Sequence, residues 1–183
     1  MCRNGSGFKV EVVPPNLAWR EAFATEAKQV IQALNGNIVA IHHIGSTAIP
    51  NIYAKPIIDI LVEVQSIANV DKQQSQVEAL NYETMGEYGI PDRRYFRKSN
   101  ALGIRTHHLH IFEVGSAQIT RHLTFRDYLI SHPEDAQKYS DLKRQLARQH
   151  PDDIESYMDG KNDFIQAIDR KAAAWKNQID ESI

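Results

Sequence analysis

Two apolar segments of the chain contain the side chains that could do chemistry. Asp59 stands inside the β-branched run at 57–64, and His108 and His110 alternate with apolar residues within 104–114. A carboxylate in an apolar strand requires a cation, a metal or a water-filled cleft, because burying it unpaired is costly. Residues two apart in a strand lie on one face about 7 Å from each other, so both histidines can approach one ligand. Carboxylate and imidazole together indicate a divalent-metal or a proton-transfer site.

The turn that precedes the acidic segment suits a phosphate group. Gly45 lets the backbone approach a ligand closely, and Ser46 and Thr47 offer hydroxyls beside backbone N–H groups. Turns between strands use the same residue types without any ligand, so the turn alone is a weak indication. Its position about a dozen residues before Asp59 is what makes it a candidate.

Basic residues concentrate at 93–98, where four of the six side chains are Arg or Lys. Such a strand is interpreted equally well as a charged edge strand that deters pairing between sheets or as a basic rim that binds phosphate. Farther along, Lys143, Tyr157 and Lys161 lie in helical segments, where the local pattern favours surface positions.

Hydrophobic periodicity predicts the elements that position these residues. We expect strands at 8–13, 37–44, 57–64, 93–98 and 104–114, and an ambiguous one at 82–88. Helices are expected at 17–34, 66–80, 117–130, 133–149 and 153–176. The fold class is therefore α/β (α+β), with one domain over 1–183 that consists of an α/β core at 1–116 and a helical C-terminal extension at 117–183.

Composition excludes several classes of protein. The 183 residues carry a formal charge of −2, which gives no overall field to attract long nucleic acid. Cys2 is the one cysteine, so an intramolecular disulfide and a cysteine-rich zinc site are excluded and a reducing cytoplasm is expected. No apolar run approaches the length of a membrane span, and we expect no membrane partner.

Six blocks of the sequence resemble, in order, the GrpB-like family of the polymerase-β-like nucleotidyltransferase superfamily. They are HIGSTAIPNIYAKPIIDI at 43–60, IPDRRYFRK at 90–98, HLHIFEVGS at 108–116, FRDYL at 125–129, HPEDAQKYSDLK at 132–143 and YMDGKNDFI at 157–165. The superfamily pattern itself is a hydrophobic residue, Gly-Ser, about a dozen residues, and an Asp in an apolar strand, which Gly45 to Asp59 match.

The resemblance implies a nucleotidyltransferase-like mixed sheet with flanking helices. It also implies binding of a nucleoside triphosphate with a divalent metal, Mg or Mn, and transfer of a nucleotidyl group to an unknown acceptor. The implied catalytic residues are Asp59, Ser46 and His110, and the implied metal ligands are Asp59, His108 and His110. The implied phosphate-binding residues are Gly45, Ser46, Thr47, Lys55, Arg93, Lys143, Tyr157 and Lys161.

One position departs from the superfamily pattern. The second carboxylate, expected two residues after Asp59, is replaced by Leu61, and Glu63 lies about 13 Å from Asp59 along the strand. Asp with histidines is a softer ligand set that suits Zn, Mn or Fe better than Mg. Two alternatives to nucleotidyl transfer therefore stay open: a non-catalytic nucleotide- or phosphate-binding accessory module, and a metal-dependent hydrolase or phosphotransferase on the same fold.

Overall fold

A computed structural model describes residues 9–182, which form a five-stranded sheet and six α-helices. Cys2 and Phe8, on which two of the predictions depend, lie outside the described residues. The strands are β1 (Ile38–Ile44), β2 (Ile58–Val64), β3 (Tyr82–Thr84), β4 (Arg94–Ser99) and β5 (Arg105–Glu113). The helices are α1 (Ala18–Ala33), α2 (Ile67–Lys72), α3 (Gln74–Glu78), α4 (Ala117–Ser131), α5 (Pro133–Gln149) and α6 (Ile154–Asp180).

The sheet is mixed, as predicted. Its strand order is β1-β2-β5-β4-β3, with β2 and β5 parallel and the other three pairs antiparallel. The register pairs Asp59 with His108 across the parallel neighbours, and Ile44 with Asp59 across the antiparallel ones. The centre of the sheet thus brings together three segments that are far apart in the sequence.

One face of the sheet packs against α1. Ile60, Val62 and Leu109 point to this face and contact the apolar stripe of α1, where Val30 and the residue after the helix, Leu34, are fully buried. The stripe arises because apolar residues recur at helical spacing from position 19 to position 34. A Leu34→Ala change would remove about 2–5 kcal/mol of stability, the usual cost of a core cavity.

The opposite face carries Asp59 and is covered by the helical C-terminal part. Leu61 and Phe112 on the sheet pack against Ile119 of α4. The loop between β1 and β2 contributes Ile49 and Ile52 to a second cluster with α4, α5 and α6. These contacts hold the C-terminal helices beside the Gly45-Ser46 turn, which is how α5 and α6 reach the site.

Several predicted boundaries were wrong. Of the strand at 8–13, the described part shows an isolated bridge between Val13 and Ala54, since Pro14 and Pro15 follow and cannot extend a ladder. The predicted helix at 66–80 is two short helices that meet at Gln73, whose φ of −95° and ψ of 4° leave the helical range. The ambiguous strand at 82–88 stops at Thr84.

The last helix is longer than predicted and continues past 176 to Asp180. Within the described residues, no helix is both long enough and apolar enough to pass through a bilayer.

Candidate functional site

Asp59 and the two alternating histidines meet on one face of the sheet. Asp59 Oδ1 lies 3.1 Å from His108 Nδ1 and 3.4 Å from His110 Nε2. Burial alone would raise the pKa of Asp59, but hydrogen bonds and charge from the two histidines outweigh it and hold that pKa below its usual range. The carboxylate is therefore ionised at neutral pH.

The three side chains fit a single divalent ion. Each offers one ligand atom, and the three atoms all lie within 4.8 Å of one another. One carboxylate oxygen with two imidazole nitrogens suits Zn²⁺ or Mn²⁺ better than Mg²⁺, which prefers oxygen ligands.

Gly45 brings the preceding turn against the carboxylate. Its φ of 70° and ψ of −172° lie in a region that glycine alone occupies without strain. A Cβ added there would stand 2.5 Å from Asp59 Oδ2, closer than real contacts allow. Gly45 and Ser46 therefore face the same cavity as Asp59 and His110, as the sequence predicted.

A cavity of about 500 Å³ opens at this point, with α5 and α6 on its other side. Among the described residues that line it, Asp59 is the one acid. Four cationic side chains line it as well: Lys55, Arg93, Lys143 and Lys161. The cavity thus has an excess of positive charge, although the whole chain is slightly acidic.

Two of the lysines are buried rather than exposed. Lys143 is 2% exposed and Lys161 is 8% exposed. Burial, with a smaller contribution from the charge of Lys161, lowers the pKa of Lys143 to about 7. Burial, with a further contribution from Lys55, lowers the pKa of Lys161 to about 8. Lys143 Nζ donates to the carbonyl oxygen of Tyr53 and lies 4.4 Å from the ring centre of Tyr139.

Tyr157 lies between the lysines with its hydroxyl unpartnered. The residue is fully buried, lines the cavity, and its hydroxyl has no hydrogen-bond partner among the described residues. Lys161 Nζ stands 4.5 Å and Lys55 Nζ 5.8 Å from the centre of its ring. A buried hydroxyl that lacks a partner is unusual in a native structure, and a polar ligand would satisfy it.

Arg93 is almost buried and has two roles in the geometry. Its Nε donates to the Glu87 carbonyl oxygen at 3.1 Å and its Nη2 donates to the Tyr88 carbonyl oxygen at 2.6 Å. Its guanidinium carbon lies 4.8 Å from the ring centre of Tyr95. Arg93 therefore anchors the loop before β4 while it contributes charge to the cavity.

Thr47 is the predicted site residue that the structure keeps away from the cavity. Its hydroxyl donates to the Ile57 carbonyl oxygen at 3.3 Å and lies 2.9 Å from His43 Nε2. The reason is the 3₁₀ turn Ser46–Ala48, which directs consecutive side chains to different sides.

The structure places the two residues at which the resemblance raised the question of a second carboxylate, Leu61 and Glu63. Leu61 is fully buried in the apolar cluster with Phe112 and Ile119. Glu63 lies 2.7 Å from His42 Nε2 and is absent from the Asp59 cluster. His43 and His107 lie on the face of the sheet opposite to Asp59. The number of histidines in these two strands therefore exceeds the number that can contribute to the site.

Sequence reasoning missed several aromatic residues of the site. Tyr95 contacts both histidines, with ring centres 5.6 Å from His108 and 5.2 Å from His110. Alternation in β4 could have found it, because Tyr95 pairs directly with His110. His122 of α4 is also adjacent, with its ring centre 5.8 Å from that of His110, and burial lowers its pKa to about 4. The other lining residues that the sequence did not identify are Ile57, Tyr88, Ile90, Phe125, Tyr139 and Met158.

Comparisons with known proteins place the chain in a family. The family model described as GrpB protein matches residues 9–171. The UPF0157 protein YqkA of Bacillus subtilis is 48% identical over 168 residues, which are 92% of this chain and 48% of the relative. The glutamate-rich protein GrpB of Alkalihalophilus pseudofirmus is 34% identical over 153 residues, covering 82% of this chain and 88% of that one.

A solved structure agrees with the fold. The crystal structure of the conserved protein GrpB from Enterococcus faecalis superposes with a TM-score of 0.85 at 47% identity, covering 88% of this chain and 96% of that one. This chain spans about half the length of the Bacillus subtilis relative. The family that the sequence blocks predicted is confirmed: the chain belongs to the GrpB family.

Proposed function

We propose that the cavity binds a nucleoside triphosphate with one divalent metal ion, and that the chain is a nucleotidyltransferase-like protein. The observation that carries the proposal is the convergence of four cationic side chains and one unpartnered tyrosine hydroxyl on a cavity with a single lining acid among the described residues.

The charge arrangement supports an anionic ligand. Lys143 and Lys161 are buried near each other, and burial lowers the pKa of both lysines. Cations buried without an anion destabilise the folded protein, whereas a bound phosphate chain would form charge-assisted hydrogen bonds with them. The Tyr157 hydroxyl would donate to a phosphate oxygen of the same ligand.

Asp59, His108 and His110 would hold the metal, and the bound ion would polarise a phosphate oxygen. Gly45 and Ser46 present their backbone and hydroxyl to the same space. The lysines neutralise the charge of the leaving phosphates, and the covering helices α5 and α6 limit access of water. The reaction proposed for this arrangement is transfer of a nucleotidyl group to an acceptor in the cytoplasm, with a small molecule rather than long nucleic acid as the bound partner.

Leu61 favours a second candidate function. An apolar, buried side chain stands where two-metal transferases use a carboxylate, so the cavity has the ligands for one ion. A nucleotide- or phosphate-binding accessory module, or a hydrolase or phosphotransferase that uses one metal, needs no second carboxylate. Both alternatives use the same phosphate-binding cavity. They differ in that the accessory module binds its ligand without reaction, whereas the hydrolase or phosphotransferase turns it over.

A thermal-shift screen of nucleoside triphosphates crossed with Mg²⁺, Mn²⁺ and Zn²⁺ tests the proposal. A ligand that binds the folded state alone adds about 2.7 kcal/mol of stability at a hundred times its Kd. We expect a rise of the melting temperature with triphosphate and metal together in the wild type, and a smaller rise in Asp59→Ala. If no triphosphate raised the melting temperature with any of the three metals, the result would contradict the proposal.

A further inference from the structure

An exposed tyrosine stands at the edge of the cavity. Tyr88 is 58% exposed although it lines the cavity. One face of its ring stacks on Tyr95, with ring centres 5.2 Å apart and planes 23° from parallel. Because Tyr95 covers one face, the exposed area of Tyr88 includes the other face. An aromatic face held flat and open beside a binding cavity is a surface on which another ring can stack.

The backbone beneath this ring is held in an unusual conformation. Tyr88 has a φ of 47°, a region that bulky residues rarely occupy. Arg93 fixes it, since the guanidinium donates to the carbonyl oxygens of Glu87 and Tyr88 and lies over the ring of Tyr95. The Tyr88 ring is thus positioned before any ligand binds, and its stacking face loses little freedom on binding.

Tyr88 and the lysines line the same cavity and pack against different aromatic rings. Tyr88 stacks on Tyr95, Tyr95 contacts His110, and His110 contacts the carboxylate of Asp59. Lys55 and Lys161 lie over the ring of Tyr157 instead. A ligand that places its phosphates on the lysines and fills the cavity therefore also meets Tyr88.

We propose that Tyr88 is the stacking platform for the base of the ligand, so that the cavity selects nucleotides over inorganic polyphosphate and sugar phosphates. This inference rests on the proposed function, because it presumes that the phosphates bind at the lysines. Every base can stack on an aromatic ring, because each base has a π face. We therefore expect similar affinities for purine and pyrimidine nucleotides.

Calorimetry with inorganic triphosphate and with ATP, each in the presence of Mn²⁺, separates the two parts of the ligand. We expect the wild type to bind ATP about tenfold more tightly than inorganic triphosphate, the increment that one stacked base supplies. Tyr88→Asn removes the ring and keeps a residue that tolerates positive φ. This variant should lose about tenfold in ATP affinity and keep its affinity for inorganic triphosphate.

Two further variants control the experiment. Tyr88→Phe keeps the aromatic face and should bind ATP as the wild type does. Leu102→Ala changes a residue that is 83% exposed and is not among the lining residues, and should change neither affinity.

Each adverse result has a distinct meaning. Equal affinities for ATP and inorganic triphosphate in the wild type would overturn the platform and leave the phosphate-binding cavity standing. An unchanged ATP affinity in Tyr88→Asn would do the same, and a loss in Tyr88→Phe equal to that in Tyr88→Asn would show that the hydroxyl rather than the ring binds. Failure of both ligands to bind the wild type would overturn the proposed function together with this inference.

Discussion

Replacing Gly45 by alanine should damage the site through one methyl group. The backbone conformation at Gly45, with φ of 70° and ψ of −172°, is nearly exclusive to glycine, so alanine there costs about 1–3 kcal/mol of stability. The new Cβ would also stand 2.5 Å from Asp59 Oδ2 and 3.1 Å from Asp59 Cγ. Since this contact is too short to persist, the turn or the carboxylate must shift, and either shift changes the geometry that Asp59 shares with His108 and His110. We therefore expect lost metal and triphosphate binding in addition to the lost stability.

A matched glycine separates the two effects. Gly103 has a φ of 76°, and a Cβ there would meet nothing within 4 Å. Gly103→Ala should lose stability through its backbone and keep full binding, whereas Gly45→Ala should lose both. Urea unfolding measures the free energy of unfolding, and calorimetry measures binding of Mn²⁺ and of a triphosphate. Wild-type affinity in a folded Gly45→Ala protein would refute the close approach of this turn to the Asp59 carboxylate.

Three further predictions concern the cations of the cavity. Lys143→Met should weaken triphosphate binding by tenfold or more in calorimetry, because a charge-assisted contact is worth about 1.5–3 kcal/mol. The control is Lys138→Met on the exposed side of α5, which should leave triphosphate affinity unchanged. Burial lowers the pKa of Lys143 to about 7 and that of Lys161 to about 8, so triphosphate affinity should fall as the pH rises from about 7 to 9. Over the same range the unliganded protein should gain stability in urea unfolding, since the unfolded chain binds more protons than the folded one. Arg93→Ala should weaken triphosphate binding by tenfold or more. Arg93→Lys should not restore the affinity, because lysine lacks the planar guanidinium that donates to two carbonyl oxygens. Unchanged calorimetric affinity in Arg93→Ala would show that Arg93 is not part of the site.

The residues at the centre of the site could be predicted because the pattern within each strand identifies them. Alternation with a period of two places His108 and His110 on one face of a strand, and an isolated acid in an apolar run requires a partner. The structure joins these segments as neighbouring parallel strands, and Asp59 contacts both histidines. The strand pattern therefore contained most of the geometry of the cluster of Asp59, His108 and His110.

The buried lysines could not be predicted from local pattern. Lys143 and Lys161 occupy helices whose sequences are largely polar, and the pattern favoured surface positions for them. Their burial depends on α5 and α6 packing against the loop between β1 and β2, a contact between segments about ninety residues apart in the sequence, as in the bond from Lys143 to Tyr53. The family resemblance, rather than periodicity, identified them as candidates.

The direction of Thr47 was unpredictable for a different reason. A tight turn sends adjacent hydroxyls to different sides, and its φ and ψ angles cannot be read from Gly-Ser-Thr alone. Ser46 consequently lines the cavity while Thr47 bonds to His43 and Ile57.

Counting the divalent ions that the protein binds tests the central claim most directly. The wild type would be titrated with Mn²⁺ by calorimetry without a triphosphate, since a triphosphate itself chelates Mn²⁺, and Asp59→Ala is the control. Because Leu61 replaces the second carboxylate, we predict one ion per chain in the wild type and none in Asp59→Ala. Two ions per chain, or undiminished binding in Asp59→Ala, would contradict the assignment of Asp59, His108 and His110 as a one-metal centre.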